Sequence, residues 1–379
     1  MIRICYVVDA AFLGGAEWYV SRLATALDRT RFEAAVLLRT PDDDGGLDGW
    51  AAALSANGVP VTRIPMNLPF RPQHAPGILA ALQRVSPHVV HVNMPGPYNG
   101  QTGLMVPLAR MSGARVMVTE HLPMISPPWK RAALKALAYR WLDVGLTVSV
   151  ANAAFLTRLQ GVPATRVRVV HNGVADAPRD PALRAALRAQ LEIGADEVAV
   201  VFAGNLLAYK GLQELIHALS EMSRAPWTLL VIGDGPDRHA AAEKADAAGI
   251  RGRIRFLGRR PPDETRALLS AGDVLALPSA QEGLPYVVLE AMAAALPVVS
   301  TRVFGIPEAV VHDGTGLLVE PGDTPALRSA LVRLVSDAGL RQRMGSAGRD
   351  RYEAMFTLAA QVAATSAIYR ELATGRRDA

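Results

Sequence analysis

Residues 274–290 read VLALPSAQEGLPYVVLE. The stretch opens with four apolar residues, passes through a turn rich in Pro and Gly, and enters a second apolar run near Pro285. A short apolar run bounded by turn residues is typical of a strand buried on both faces, and proline is tolerated in the first turn of a helix. The stretch therefore predicts a strand at Val274–Leu277, a loop and a helix, which is one unit of a parallel α/β sheet.

The same alternation of short apolar runs and longer helical patterns extends through all 379 residues. In the first half we expect strands at residues 2–8, 34–38, 61–64, 89–92, 116–119, 145–150 and 168–171. In the second half we expect strands at residues 198–203, 228–232, 254–257, 274–277, 297–300 and 316–319. This alternation predicts an α/β protein with parallel sheets built from βαβ units.

Chain length favours two domains, because domains average roughly 100–200 residues. Asp and Pro cluster between Ala175 and Pro181, where one set of strands ends and the next begins. We therefore predict an N-terminal domain over residues 1–177 and a C-terminal domain over residues 178–356.

Composition narrows the partners and the compartment. Half of the residues are apolar, and the formal net charge of +5 admits anionic partners or an ordinary basic surface. The single cysteine, Cys5, lies in an apolar strand pattern, so a reducing cytoplasm fits. We find no apolar run long enough for a transmembrane helix, and the first one is too short for a signal peptide.

Candidate site residues follow the strands, because ligands of open parallel sheets bind outside the carboxyl ends of the strands. Gly14 and Gly15 stand between the first strand and a helix predicted to begin near Trp18, where the backbone can approach an anion closely. His121 closes a polar cluster, Thr119-Glu120-His121, after another strand. Ordinary turn and capping roles remain open for both segments.

Three charged residues follow strands of the second half. Lys210 lies in a loop that opens a helix, where the ammonium and the helix dipole can act together on a phosphate, although a surface lysine is the alternative. Glu282 lies in a loop and Glu290 lies eight positions later on an apolar helix. A buried carboxylate needs partners, for which ribose hydroxyls are suitable, whereas a solvated glutamate on an amphipathic helix is the alternative.

These segments together resemble the retaining GT-B glycosyltransferases of family GT4. Glu282 and Glu290 resemble its E-x7-E motif, and His121 is similar to its active-site histidine. Further similarities, in family order over nearly the whole chain, are Gly14-Gly15-Ala16-Glu17, Val148-Ser149, Asn172-Gly173-Val174, Lys210-Gly211, Gly305-Ile306-Pro307-Glu308 and Gly316-Leu317-Leu318-Val319.

The resemblance implies two Rossmann-like domains whose parallel sheets face a deep interdomain cleft. The C-terminal helix, about residues 357–373, is then expected to pack back on the first domain. The implied reaction moves a hexosyl or N-acetylhexosaminyl group from a nucleotide-diphosphate sugar to a hydroxyl acceptor, with retention and without a metal or cofactor. A UDP-sugar is favoured over a GDP-sugar as the donor.

The resemblance also implies roles for single residues. Glu290 would bind the donor ribose, Glu282 the hydroxyls of the donor sugar, and His121 the sugar near the reacting centre. The diphosphate would be held by Lys210 and by the backbone amides of Gly15, Gly283 and Leu284. We thus predict catalytic roles for His121, Lys210 and Glu282, and donor binding by Gly15, Asn205, Lys210, Glu282, Gly283, Leu284 and Glu290.

Two positions depart from the family pattern. Asn205 stands where an arginine is usual, so a bidentate contact to the diphosphate is lost, and Arg302 or a cation of the first domain is a candidate replacement. Phe304 stands where many relatives have glycine, and it would narrow the sugar site. A weakly active or inactive nucleotide-sugar-binding partner protein, or a related epimerase, therefore remains an alternative. The run Asp42-Asp43-Asp44 is interpreted as a solvated turn rather than a metal site.

The acceptor is expected to meet the first domain, and two segments are candidates. Residues 126–141 form a basic, aromatic helical pattern that suits either an anionic membrane with a lipid-linked saccharide or, as we favour, core packing through Leu134, Leu137, Ala138 and Trp141. Residues 93–100 form a polar loop that suits a small polar acceptor. We expect a cytoplasmic protein, with peripheral contact at the inner face of the membrane left open, and no nucleic-acid partner.

Overall fold

A computed structural model of the chain describes residues 1–10, 13–40, 47–64, 72–94, 102–122, 129–222 and 225–375. The chain divides into two compact units: unit 1 comprises Met1–Asn172 with Leu358–Ala379, and unit 2 comprises Gly173–Thr357. The Asp42–Asp44 turn, residues 95–100 and residues 126–128, which the sequence analysis singled out, lie outside the described residues.

Unit 1 is built on a seven-stranded parallel sheet with the order β3-β2-β1-β4-β5-β6-β7. The strands are β1 (Ile2–Val8), β2 (Phe32–Arg39), β3 (Val61–Ile64), β4 (Val89–Met94), β5 (Arg115–Glu120), β6 (Val144–Thr147) and β7 (Val167–Val169). The helices between them are α1 (Gly15–Ala26), α2 (Leu47–Ala56), α3 (Ala75–Val85), α4 (Thr102–Met111), α5 (Trp129–Ala138) and α6 (Val150–Gln160).

Unit 2 repeats this design on a six-stranded parallel sheet with the order β10-β9-β8-β11-β12-β13. The strands are β8 (Val198–Ala203), β9 (Trp227–Ile232), β10 (Ile254–Gly258), β11 (Val274–Leu277), β12 (Val298–Thr301) and β13 (Gly316–Val319). Its helices are α7 (Pro181–Gln190), α8 (Leu212–Ser220), α9 (Arg238–Ala247), α10 (Pro262–Ser270), α11 (Tyr286–Ala293), α12 (Ile306–Ala309), α13 (Thr324–Ser336) and α14 (Ala338–Met355). The last helix of the chain, α15 (Leu358–Thr374), belongs to unit 1.

The sheets form because their strands are apolar on both faces. Every residue of β8 and of β9 is buried, and β1 is buried from Ile4 to Val8. Ile4 pairs in register with Ala34 on one side and with Val89 on the other. Strand β1 therefore lies inside the sheet, with neighbours on both sides. Helices on both faces are the usual way to cover such strands.

All thirteen predicted strands are present, and the α/β prediction with two Rossmann-like sheets is confirmed. Some boundaries differ. The strand predicted at residues 145–150 ends at Thr147, because Ser149 caps α6 by accepting a hydrogen bond from the amide of Asn152. The strand predicted at residues 168–171 is instead Val167–Val169, and α1 begins at Gly15 rather than near Trp18.

The predicted core face of α5 is wrong. Ala138 is buried, but the side chains of Leu134, Leu137 and Trp141 are 49%, 55% and 52% exposed. The helix is turned by a buried ion pair: the Lys135 ammonium lies 2.6 Å from the Glu120 carboxylate, and both side chains are almost fully enclosed. A buried charge must be paired, so this contact determines which face of the helix points inward.

The C-terminal helix α15 is held in unit 1 by a buried polar cluster. The Tyr369 hydroxyl lies 2.6 Å from Nδ1 of His91 on β4 and donates to the Tyr6 hydroxyl on β1, 3.0 Å away. Tyr6, His91 and Tyr369 are fully buried. No helix in the described ranges combines the length and the apolar character needed to cross a bilayer.

We expect Tyr369→Phe to loosen α15, because it leaves buried polar groups of His91 and Tyr6 without a partner at a penalty of about 1–3 kcal/mol. Amide hydrogen exchange read by mass spectrometry should show faster exchange in α15 peptides. Unit 2 peptides serve as the internal control and should be unchanged. Equal protection of α15 in both proteins would contradict this account of its anchoring.

Candidate functional site

The strand order of each unit reverses at one point, and the candidate residues follow the strands on either side of it. In unit 2 the reversal lies between β8 and β11, and in unit 1 it lies between β1 and β4. Ligands of such sheets bind at the carboxyl edge beside the reversal. Residues 204–211 follow β8 and residues 278–285 follow β11, so the Lys210 and Glu282 loops are neighbours at this edge.

A close approach of the two unit 2 loops positions Lys210. Gly211 has a φ of +79°, and a Cβ there would lie 2.3 Å from the carbonyl oxygen of Pro278. The Ala280 amide donates to the Tyr209 carbonyl at 2.7 Å, which joins the loops again on the other side of Lys210. Residue 211 must be glycine, because its φ is positive and because a Cβ would clash with the Pro278 carbonyl. The backbone position from which the Lys210 side chain extends is therefore fixed.

Lys210 and Glu282 form an ion pair in which Nζ lies 2.7 Å from Oε1. The Ser279 hydroxyl donates to the same carboxylate oxygen at 2.8 Å. Glu282 is 3% exposed, so its charge is compensated by these two partners rather than by bulk water. Loss of either charge would leave the other poorly compensated, which makes the pair sensitive to substitution.

Glu290 is buried on α11. It is 4% exposed and stands among the buried residues Val288, Leu289 and Ala291. The structure therefore excludes the solvated alternative for Glu290, and the enclosed carboxylate is held on the helix that the Glu282 loop leads into. Pro285 is the N-cap of this helix rather than a residue of its first turn.

The loop after β12 lies against the Glu282 loop, where the Gly305 amide donates to the Gly283 carbonyl at 2.9 Å. Beside this contact, half-buried Phe304 has a φ of +41°. A residue with a Cβ rarely adopts this backbone region, and strain of this kind costs about 1–3 kcal/mol. Phe304, which stands where many relatives have glycine, is thus also a strained position within the loop.

Asn205, which stands at the usual arginine position, and Arg302, the candidate replacement, follow strands of unit 2 that have β11 between them. Asn205 is half-buried in the loop after β8. Arg302 follows β12, and its Nε lies 3.6 Å from a carboxylate oxygen of Glu320 with both side chains well exposed. An exposed pair of this length is weak, so Arg302 remains a candidate replacement for the missing arginine.

In unit 1 the predicted Gly-Gly loop forms the N-terminus of α1. Gly14 is the N-cap, and its amide donates to the Glu17 carboxylate at 2.8 Å. Glu17 is 2% exposed, and burial raises the pKa of its carboxyl to about 7. Burial also raises the pKa of Asp9 to about 6, against the opposing effect of Arg39 at 3.6 Å. The edge around Gly15 thus holds acids that protonate unusually easily.

His121 is buried in unit 1 beside polar and aromatic side chains. Its Nε2 lies 2.8 Å from Oδ1 of Asn93, whose Nδ2 donates to the Ala16 carbonyl at 3.0 Å. The amide is thereby oriented so that His121 donates from Nε2, which leaves Nδ1 as the acceptor. The Tyr19 ring packs edge-on at 4.7 Å, and burial lowers the pKa of His121 to about 3. The imidazole is therefore neutral at physiological pH.

Two family models match the chain and together account for most of it. The model described as "Glycosyl transferase 4-like domain" matches residues 14–173, and that described as "Glycosyl transferases group 1" matches residues 184–351. Among solved structures, the chain is similar to Anabaena Alr3699/HepE in complex with UDP and glucose, with a TM-score of 0.83 and 20% identity over 98% of this chain and 100% of that chain.

The chain belongs to the group 1 glycosyltransferases of family GT4. This confirms the resemblance drawn from the sequence, and the likeness to HepE confirms the GT-B fold class.

Relatives within this family match over part of their length. D-inositol 3-phosphate glycosyltransferase of Corynebacterium efficiens is 38% identical over 205 residues, which are 52% of this chain and 48% of that protein. N-acetyl-alpha-D-glucosaminyl L-malate synthase of Bacillus anthracis is 30% identical over 187 residues, 49% of each. The chain spans about half the length of these curated relatives.

Within the GT-B units, the structure brings Lys210, Glu282 and Ser279 together, and it brings His121 to Asn93. Gly283 and Leu284 follow Glu282 in the same loop. Sequence reasoning missed Ser279 and the role of Asn93. A hydroxyl three residues before Glu282, and a polar residue near the end of β4, were the available signals.

Glu120 has a structural role rather than a place in the site. Besides Lys135, its carboxylate accepts from the Tyr139 hydroxyl at 2.7 Å and from Gln160 at 3.3 Å. All of these partners are buried. Of the cluster Thr119-Glu120-His121, only His121 therefore remains a candidate site residue of this glycosyltransferase family member.

The raised pKa of Glu17 predicts a pH-dependent stability. Its unfolded value is near 4.5 and its folded value about 7, so the stability it contributes is present below pH 4.5 and lost as pH rises through 7. Glu17→Gln keeps a hydrogen-bond acceptor and removes the titration. Between these two pH values we expect the free energy of unfolding of the variant to rise relative to that of the wild type. The difference should reach on the order of 2–3 kcal/mol above pH 7.5.

The measurement is urea unfolding followed from pH 4 to pH 8 for both proteins. Exposed Glu33 of the same unit supplies the control Glu33→Gln, which makes the same substitution at the surface. A Glu17→Gln difference that does not vary with pH would show that burial does not raise the pKa of Glu17 in the folded protein.

Proposed function

We propose that the chain is a retaining glycosyltransferase that takes a nucleoside-diphosphate sugar as donor and a hydroxyl group as acceptor. The observation that carries the proposal is the Lys210–Glu282 ion pair at the strand-order reversal of unit 2, on a loop that continues into the helix bearing buried Glu290. One cation, for a diphosphate, and two enclosed carboxylates, for hydroxyl groups, are the chemistry that such a donor requires.

Lys210 supplies the positive charge for the diphosphate. An ammonium has three donors, so it can keep its contact with Glu282 while donating to a phosphate oxygen. The backbone amides of Gly283 and Leu284, and that of Gly15 in unit 1, are proposed as further donors. Charge that develops on the departing diphosphate is then met by fixed donors, which is usually the largest catalytic effect available to an enzyme.

The two glutamates are proposed to orient the donor. Glu290 accepts hydrogen bonds from the ribose hydroxyls at its enclosed position on α11. Glu282 accepts from hydroxyls of the donor sugar while Lys210 and Ser279 hold it in place. Neutral His121 contacts the sugar by hydrogen bonding rather than by charge, because its pKa of about 3 keeps it deprotonated.

In the proposed reaction the acceptor oxygen forms a bond to the anomeric carbon on the face from which the diphosphate leaves. The bond between that carbon and the diphosphate oxygen breaks, and the acceptor proton passes to the departing phosphate. A nucleoside diphosphate and a glycoside with the same anomeric configuration result. No base is needed from the protein, and we propose that neither a metal nor a cofactor takes part.

The donor and the acceptor are proposed as chemical classes. A UDP-sugar is favoured because HepE was solved with UDP and glucose. The names of the two relatives describe an inositol phosphate and a malate product, which favours a small polar acceptor, and a hexosyl or N-acetylhexosaminyl group as the transferred sugar. The single cysteine is buried, and we propose a cytoplasmic location on this ground.

Glu290→Ala tests the donor site. Loss of hydrogen bonds to a charged group, at about 1.5–3 kcal/mol each, should lower kcat/KM for transfer or donor hydrolysis by about 100-fold or more. The kcat/KM of Glu290→Gln should lie between those of wild type and Glu290→Ala, because glutamine keeps the shape of the side chain and loses its charge. The control Glu243→Gln alters an exposed residue of the same unit and should keep full activity.

Binding must be measured beside turnover, since the acceptor is unknown. Thermal shift with UDP, GDP and their sugars identifies the donor by mass action. An unfolding midpoint near that of the wild type shows that Glu290→Ala is folded. Full turnover by a folded Glu290→Ala protein would refute the proposal.

Asn205 favours a second candidate, a nucleotide-sugar-binding partner protein with little or no turnover. The Asn205 amide carries no charge, so the guanidinium that the family pattern places at this position is missing. A related epimerase is a third reading, distinguished by release of free sugar and nucleoside diphosphate without an acceptor.

Asn205→Arg separates the transferase from the inactive binder. If leaving-group charge limits a working transferase, the added guanidinium should raise kcat by about tenfold, the equivalent of 1.4 kcal/mol. Asn205→Gln, which adds length without charge, is the matched control and should not. Donor binding in all three proteins without turnover over a broad acceptor panel would instead establish the partner-protein reading.

A further inference from the structure

One face of α5 and of the turn after it is exposed and largely apolar. The exposed fractions are 75% for Trp129, 49% for Leu134, 55% for Leu137 and 52% for Trp141. Leu134, Leu137 and Trp141 are spaced by three and four residues, so they lie in one row on the helical surface. Large apolar side chains gathered in this way mark a binding surface rather than ordinary exposed residues.

The orientation of this face is fixed from inside unit 1. Lys135 points inward to Glu120 at 2.6 Å, and Tyr139 donates to the same carboxylate. Ala138 and Tyr139 are 3% exposed. Rotation of the helix to bury its leucines would require a buried ion pair to break, so exposure of the apolar row is a stable feature of the fold.

Cations flank the apolar row and acids are absent from it. Lys130 and Arg140 are exposed at the two ends, and residues 129–142 contain no Asp or Glu. We call Trp129, Lys130, Leu134, Leu137, Arg140 and Trp141 the α5 face. Its apolar centre and basic ends have the pattern of helices that lie in the surface of an anionic bilayer.

A basic pocket continues the α5 face at its Trp141 end. This pocket, of 310 Å³, is lined in part by Trp141 and five arginines: Arg110, Arg115, Arg140, Arg166 and Arg168. Asp143 pairs with Arg110 and Arg115, and Glu371 with Arg168. In the described part of the chain Arg140 and Arg166 have no carboxylate partner, so the pocket keeps an excess of positive charge.

We propose that the α5 face docks unit 1 on an anionic lipid surface, with the aromatic and leucine side chains at the headgroup boundary and the arginine pocket on lipid phosphates. A second copy of the chain is a poorer occupant. A symmetric dimer through this face would bring Lys130 and Arg140 of each copy together with no acid to pair them. This docking does not depend on whether the chain transfers a sugar.

The docked orientation follows from the topology of unit 1. Helix α5 lies between β5 and β6, which are parallel neighbours, so it runs back along the sheet from the carboxyl edge to the amino edge. Its Trp129 end is therefore on the side of the carboxyl edge, where β5 leads into His121. A lipid surface on the α5 face then borders the candidate site edge of unit 1.

The test is sedimentation with vesicles, in the absence of donor and acceptor. One set contains phosphatidylcholine with phosphatidylglycerol, and the other contains phosphatidylcholine alone. The double variant Leu137→Ser/Trp141→Ser removes two apolar contacts, and Lys130→Gln/Arg140→Gln removes the flanking charge. The matched control Val311→Ser/Val332→Ser alters two unit 2 side chains that are 45% and 44% exposed.

We expect wild type and the control to bind the anionic vesicles more strongly than the neutral ones, and less strongly as salt rises. The apolar variant should bind at least about tenfold more weakly, since each lost apolar side chain removes burial at the headgroup boundary. The charge variant should show a smaller preference for anionic lipid than wild type, because Lys130 and Arg140 are lost while the other pocket arginines remain. Tryptophan emission should shift to the blue on binding in wild type and less in the apolar variant.

Several outcomes would overturn the proposal. One is no binding of wild type to anionic vesicles, and another is equal binding by wild type and the apolar variant. A third is concentration-dependent dimerisation that the apolar variant abolishes, which would assign the face to a second copy. The altered side chains are exposed, so a preserved unfolding midpoint should accompany each variant. Because the assay contains no substrate, an inactive chain can still pass it.

Discussion

The enclosed contact between Lys210 and Glu282 is the interaction on which the candidate donor site depends. A carboxylate that is 3% exposed must be compensated, and here an ammonium at 2.7 Å and the Ser279 hydroxyl at 2.8 Å do so. The pair also holds a cation with donors to spare beside a strand-order reversal. The ammonium that compensates the buried Glu282 carboxylate is thus also the group that we propose binds the diphosphate. Gly211 supports this contact, since any side chain at 211 would clash with the Pro278 carbonyl and push Lys210 away from that loop.

Much of this arrangement is predictable because it depends on local patterns. Continuous apolar runs indicate buried parallel strands, and the residues after them must lie at one edge of the sheet. The positions of Lys210, Glu282 and Glu290 after the strands are predicted from these patterns. The patterns do not predict how deeply the three side chains are buried. Burial of Glu290 depends on how α11 packs on the sheet, which the spacing of two glutamates does not specify.

What the sequence did not reveal depends on partners far apart in the chain. Helix α5 was assigned the wrong inward face because its leucines have core spacing, whereas the decisive contact joins Lys135 to Glu120 on β5. The hydrogen bond of Asn93 to His121 likewise crosses from β4 to the end of β5. Amphipathic spacing predicts which residues share a face, but a buried ion pair can outweigh it in deciding which face is turned inward.

Charge is distributed unequally between the candidate residues of the two units. In unit 1, burial raises the pKa of Glu17 to about 7 and that of Asp9 to about 6, whereas His121 is neutral, so the candidate histidine offers hydrogen bonds rather than charge. In unit 2, Lys210 carries the positive charge and Asn205 adds none. Phe304 keeps a strained φ of +41° in the loop that contacts Gly283, and such strain persists only where the surroundings impose it. In the proposed transferase, the two departures from the family pattern would therefore act on different parts of the donor: Asn205 on the stabilisation of the leaving diphosphate, and Phe304 on the space left for the sugar.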